Sequence, residues 1–172
     1  MNDAIQEFRV RAELLHSKIA SHDTKTLSRF RGIPGLDPSA IRRRDCLFVI
    51  ARELGFPNWP HAKRVLSGEA ADDFGDLLCP RKCGGHLNLW FKSHDEAEAV
   101  RNDRGGYLLA YRKQFLVVES SYIQTLGLDP EDADWRSLAF DWTHDAGKRG
   151  IRARFYTQLV ASLPREGEER TR

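Results

Sequence analysis

The stretch YLLAYRKQFLVVE, residues 107–119, sets the first limit on what this chain can fold into. It is rich in aromatic and β-branched residues and follows Gly105-Gly106. Such a run reads as one bent strand or as a hairpin turning at Arg112-Lys113. An isolated hairpin is marginal in water and needs further strands or a helix packed on its face. The surrounding segments must therefore supply a sheet and a cover. His86–Phe91 (HLNLWF) alternates as a strand does, and Ser137–Trp142 (SLAFDW) reads as a further strand.

Helical signatures separate these runs. Ser93 with Glu96 three residues later is a capping box, opening a helix to about Asn102 with Ala97 and Val100 inward and Gly105-Gly106 as its stop. SSYIQTLGL is a short helix closed by Gly127. In LDPEDADW, Asp129 caps and Pro130 leads another start. Ile151, Phe155, Leu159 and Leu163 make the stripe of a last helix, with Asp145 as its cap. Strand and helix alternate, and the strands are few. That predicts a small mixed or antiparallel sheet with helices on one face, hence an α+β fold.

The first 68 residues read differently. Ile5, Phe8, Ala12, Leu15 and Ile19 recur at spacings of three and four, one apolar stripe on a helix over residues 3–20. A short helix covers Lys25–Arg31, burying Leu27 and Phe30. In GIPGLDPS, Asp37 caps and Pro38 takes the first helical position of a helix that runs to Leu54. Gly55 stops it, Asn58 caps the next with Pro60 in its first turn, and Gly68 ends that one. The expected organisation is a helical module (1–68), an acidic linker EAADDFGD (69–76), an α+β domain (77–164) and a disordered, charged tail (165–172).

Residues 45–66, DCLFVIARELGFPNWPHAKRVL, resemble a helical segment found in bacterial proteins ahead of ankyrin repeats or other small domains. Its form is an apolar helix, then ARE-x-GF-x-x-W, then a second helix. The marks are Ala51, Arg52, Gly55, Phe56 and Trp59. The resemblance implies an all-helical packing module in which Phe56 and Trp59 plug a small core, and it carries no catalytic residues. No ankyrin repeat follows here, since neither a 33-residue period nor a TPLHxA string occurs. From Gly75 onward the pattern resembles short uncharacterised bacterial families, a likeness without an activity attached.

Composition narrows the classes. The chain has 172 residues, enough for one domain or two small ones, and its 41% hydrophobic content is that of a globular protein. No apolar run approaches the roughly 18 residues that span a bilayer. The longest is Leu47–Ala51. The first residues, MNDAIQEFRV, lack an apolar signal core, so a cytoplasmic protein without a membrane partner is expected. Three cysteines are an odd count for a disulfide framework. Charge is uneven: residues 1–70 hold 12 Lys/Arg and 8 Asp/Glu, residues 71–145 hold 8 and 14, and residues 146–172 hold 7 and 3. Segments of net +4, −6 and +4 can pack together and offset one another, or leave a basic face for an anionic partner.

The most chemically loaded stretch is CPRKCGGH, Cys79–His86. Zinc takes four ligands, usually Cys and His, in a tetrahedron. Cys79, Cys83 and His86 offer three, and His94 is the nearest fourth. Against a site stand the C-x3-C spacing, the missing second pair and Pro80, which removes a backbone donor. As plain structure, Cys79 is a buried free thiol after Leu77-Leu78, Gly84-Gly85 turns the chain, and His86 is a surface strand residue. A thiol redox pair lacks its C-x-x-C spacing. Cys46, inside an apolar helix, is packing.

No phosphate-binding glycine loop, nucleophile elbow or H-E-x-x-H string occurs. Glu119 and His144, each ending a strand, form an acid/base pair if those strands are neighbours. Tyr107, Tyr111, Arg112, Lys113 and Phe115 interleave aromatic and basic groups as RNA readers do, although alternate strand residues ordinarily divide between core and solvent. Trp90 and Trp142 read as core or interface aromatics. Arg42, Arg43, Arg44, Lys63 and Arg64, with Lys148–Arg154, are the cations available to a nucleic acid. As a helix-turn-helix reader the first module is poor, because Pro57 and Pro60 fall where a recognition helix would begin. The reading is a non-enzymatic interaction or regulatory protein that binds a protein partner or itself. The alternatives are a nucleic-acid-binding protein using its basic helices and a zinc protein using Cys79, Cys83 and His86.

Overall fold

The computed structural model describes residues 3–20, 23–33, 35–37, 39–69, 72–143 and 147–164. The N-terminal stripe forms α1 (Asp3–Ala20) and buries Ala4, Phe8, Ala12 and Leu15. Helix α2 (Thr24–Ser28) is capped by Asp23, whose carboxylate accepts from the Lys25 and Thr26 amides. It is shorter than Lys25–Arg31, and Phe30 is buried just beyond its end.

Helix α3 (Arg43–Glu53) begins six residues after the expected cap. Asp37 instead closes a local turn, accepting from the Ser39 amide and hydroxyl, while Pro38 lies outside the described residues. A short acceptor can bond its own backbone two residues on as readily as it caps a helix. The α3 start is fixed by Asp45, whose carboxylate accepts from the Arg42 amide. Gly55, at φ +79°, ends α3 in the left-handed conformation. Asn58 then caps α4 (Trp59–Leu66) by accepting from the His61 amide. Phe56 is buried, and Trp59, partly buried, stacks on Phe8 of α1 at 5.6 Å.

Among the described residues the sheet has three antiparallel strands in the order β1 (Leu89–Phe91), β3 (Gln114–Val118), β2 (Tyr107–Tyr111). The run 107–119 is a hairpin turning at Arg112-Lys113, with Arg112 at the positive φ of +49° that such a two-residue turn demands. Strand β1 is shorter than His86–Phe91, only three residues. Helix α5 (His94–Arg104) follows it.

Helices cover both faces of the sheet rather than one. Leu108 and Val117 point to Ala97 of α5, while Leu109, Leu116 and Val118 join the large core. The period of two divides β2 and β3 between the two layers. Helix α6 (Ser120–Leu126) closes with Gly127 in the left-handed region.

The segment Ser137–Trp142 is not a strand. It leaves α7 (Asp134–Ser137) with Ala139 and Phe140 both at positive φ, and only Asp141 bridges Leu108. Its aromatic groups serve a cluster: Trp135, Trp142, Phe155 and Tyr156 are fully buried, and Trp142 Nε1 donates to Tyr156 Oη at 3.1 Å. Asp129 caps nothing helical here. It accepts from the Glu131 amide in a local turn ahead of α7. Helix α8 (Arg149–Ala161) returns along α1. Asp145 and the tail 165–172 fall outside the described residues. One cluster of buried residues extends from Ala4 to Val160, so side chains of both halves share a core. No helix among the described residues is long and apolar enough to cross a membrane.

Candidate functional site

The cysteine loop turns into packing. Arg81–Cys83 forms one 3-10 turn, Cys83 is buried and Cys79 is partly exposed. Both thiols neighbour the Tyr122 phenol, which donates to the Leu78 carbonyl at 2.9 Å. Burial pushes the Cys83 thiol up, and burial with the two adjacent thiols pushes Tyr122 up. His86 is partly exposed, shares a hydrogen bond with Thr125 Oγ1 and lies edge-on to Tyr122 at 5.4 Å. His94 hydrogen-bonds elsewhere, to Asp141. Among the described residues no group of three or more His, Cys, Asp or Glu comes together to hold a metal.

Four of the basic residues are engaged closely with carboxylates. Arg43 meets Glu13 at 2.8 Å, and Arg64 and Arg149 share Glu69. Arg154 bridges Asp132 and Asp134, and Arg152 is buried, donating to the Gly68 carbonyl. Arg42 precedes α3, Arg44 reaches Asp45 only at 3.8 Å, and Lys63 is exposed. Of these pairs only Arg154 with Asp132 and Asp134 joins a basic segment to the acidic middle; the others lie within residues 1–70 or join the two basic segments. Glu119 precedes α6 on the surface, and His144 lies outside the described residues. A different histidine–carboxylate pair, His94–Asp141, exists instead. No short-range motif marks it, because the partners stand 47 residues apart.

The aromatic–basic run of the hairpin is split by the strand period. Tyr107 is buried and donates to the Pro130 carbonyl. Tyr111 is half-buried at the margin of the sheet, and Lys113 is exposed at its tip. Arg112 reaches back to the linker with two hydrogen bonds to Asp76, at 2.8 and 3.1 Å, and lies over the Tyr111 ring.

The surface also exposes a few large apolar side chains. Strand β1 is an edge, hydrogen-bonded to β3 alone. Leu87 is 101% exposed, Leu89 42% and Trp90 46%. Trp90 lies on the large-core face of the sheet, yet no helix covers it. Its ring meets the edge of Tyr111 at 5.7 Å. Among the described residues Leu14 alone joins these three as an exposed large hydrophobic side chain. Leu89, opposite Val117, lies on the α5 face and Trp90 on the other, so these apolar groups flank the open edge from both sides. Sequence reading took HLNLWF for an ordinary strand. The signal available was its three large apolar groups in so short a run.

A second concavity lies nearby. Phe48, Arg52, Gly55, Phe56 and Pro57 from α3 and the turn after it face Asp73 and Arg112, with Gly32 at the rim. The cleft is open and about 520 Å³ in volume. Its walls are tied: Phe74 N–H donates to the Arg112 carbonyl, Arg112 N–H to Gly75, and Asp76 N–H to Leu54.

No protein-family model matches the chain, and neither the curated proteins nor the solved structures gave a match.

Proposed function

We propose that this chain is a non-enzymatic interaction domain that binds a protein partner along the open edge of β1. The observation that carries the reading is the exposure of Leu89 and Trp90 on a strand with a free edge, and of Leu87 just before it. Alternate backbone N–H and C=O groups of an edge strand point away from the sheet and accept an added strand. Apolar side chains beside that edge supply the surface whose burial drives association. A free, apolar edge invites aggregation, and in this reading the partner covers it. A second copy of β1 is the self-associating form of the same proposal.

The test uses tagged full-length protein and a Leu87→Lys/Leu89→Lys variant, each recovered with its partners from the producing organism. The expected result is a partner, or a second copy, held in stoichiometric amount by the wild type and lost by the variant at unchanged melting temperature. If the variant keeps every protein the wild type holds, or if the wild type is a monomer holding none, the proposal is overturned.

A further inference from the structure

We infer that Cys79 and Cys83 are an oxidant-responsive thiol pair that closes to a disulfide when a peroxide reaches Cys79. Other residues carry the β1 edge, and the pair stands whether or not anything binds there.

The turn is pinned so that both sulfurs share one neighbour. Three side-chain bonds tie the turn to α6. Tyr122 Oη donates to the Leu78 carbonyl at 2.9 Å, Lys82 Nζ donates to the Leu126 carbonyl at 3.0 Å, and His86 shares a bond with Thr125 Oγ1 at 2.9 Å. Between those ties the chain folds back on itself, with the Cys83 N–H donating to the Pro80 carbonyl at 2.9 Å. Cys79 stands just before this turn and Cys83 at its end, and both thiols are hydrogen-bonding neighbours of the Tyr122 phenol. Two sulfurs gathered on one oxygen have the proximity from which a disulfide forms. The spacing is C-x3-C rather than C-x-x-C, so packing on α6 brings the thiols together and not a local motif. Cys46 is the contrast: it is fully buried in α3, where Asp45 and Arg29 are its charged neighbours.

Access divides the two roles. Cys79 is partly exposed and Cys83 is buried, so a peroxide ROOH meets Cys79. The Cys79 sulfur attacks, the O–O bond breaks, a sulfenic acid S–OH forms, and ROH leaves with the Cys79 proton. The Cys83 sulfur then attacks the Cys79 sulfur. The S–S bond forms, the S–O bond breaks, and the hydroxyl leaves as water with the Cys83 proton. The thiols are oxidised, the peroxide is reduced, and an added dithiol reverses the closure. Burial pushes the Cys83 thiol up, which keeps it protonated and out of the first step.

Reduced full-length protein is treated with a small molar excess of hydrogen peroxide, then unfolded in N-ethylmaleimide. Mass spectrometry follows digestion with trypsin, which cuts after Arg81 and Lys82 inside the ring. The expected map joins the Cys79 and Cys83 peptides by a bond that dithiothreitol opens, and shows Cys46 alkylated. Dimedone, which traps sulfenic acids, should label Cys79 at least about fivefold more in Cys83→Ser than in the wild type, because the resolving thiol is gone. Cys79→Ser should leave Cys83 unoxidised, and both variants should keep the wild-type circular dichroism. The wild-type result stands without the variants. Alkylation of both thiols after peroxide, a bond to Cys46 or to a second chain, equal dimedone labelling in wild type and Cys83→Ser, or closure only in urea would each overturn the inference.

Discussion

His94 Nε2 donates to Asp141 Oδ2 at 2.8 Å, joining the first residue of α5 to the segment that follows α7. The carboxylate is saturated: Asp141 is 2% exposed, and its other oxygen accepts from the Thr143 amide and hydroxyl. The imidazole side chain is 34% exposed and lies edge-on to Phe115. Burial opposes charging of His94. The hydrogen bond and charge of Asp141 outweigh it, assisted by Asp95 and Glu98, so its pKa is raised.

This pair makes stability depend on pH. A histidine raised on folding adds stability that is fully present below its ordinary value of 6.5 and fades as pH rises through the raised value. Compared with His94→Gln, the wild type should melt higher at pH 5.5 and lose that advantage by pH 9. The ring is a third exposed, so the difference should stay under about 1 kcal/mol, or about 2–4 °C. An advantage that grows with pH would contradict the charged pair.

Gly68 is the joint between α4 and α8. At φ +79° a Cβ there would stand 2.0 Å from the Arg149 carbonyl oxygen, and the Gly68 carbonyl is the acceptor for the buried Arg152 guanidinium. Gly68→Ala should cost more than about 2 kcal/mol by urea denaturation, combining backbone strain with displacement of α8. Gly85, where a Cβ meets nothing within 4 Å, is the control, and Gly85→Ala should change stability by no more than about 0.5 kcal/mol.

The three thiols should separate by access. Burial, with Asp45 nearby, pushes the Cys46 thiol up to about 11, and burial raises Cys83, while Cys79 is partly exposed. A thiol reagent at pH 8 should modify Cys79 first, with Cys46 and Cys83 reacting only on unfolding. Elemental mass spectrometry of untagged protein should return well under one zinc per chain. Stoichiometric zinc lost in Cys83→Ser would show that the loop rearranges into a metal site.

The shared core predicts one cooperative transition. Arg11 of α1 donates to the Val160, Leu163 and Pro164 carbonyls at the end of α8, and the tryptophan cluster lies in the same core as Phe8. Calorimetry should show a single peak, and residues 1–68 alone should not fold. Trp142→Ala should cost about 3–5 kcal/mol. Two separated transitions would mean that the halves are independent.

Much of the fold was legible locally. The stripe at Ile5, Phe8, Ala12 and Leu15, the Asn58 cap, the Gly55 and Gly127 stops and the Arg112-Lys113 turn are set by side chains within a few residues, and each lies where the pattern put it. The misreadings have two causes, one local and one tertiary. Asp37 and Asp129 carry the chemistry of a helix cap, but a short carboxylate satisfies a local turn equally well. SLAFDW has a strand's composition, but burying Trp142 beside Trp135 and Phe155 overrode it.

By itself, then, the sequence determined where chain direction changes and which faces are apolar, because turns, caps and periodicity act between residues a few positions apart. The tertiary structure alone decided that Trp90 is left uncovered while Trp142 is enclosed, that His94 finds Asp141, and that Arg52 and Arg112 face each other across a cleft. Those outcomes depend on which surfaces meet, and contacts between distant segments leave no mark in local spacing.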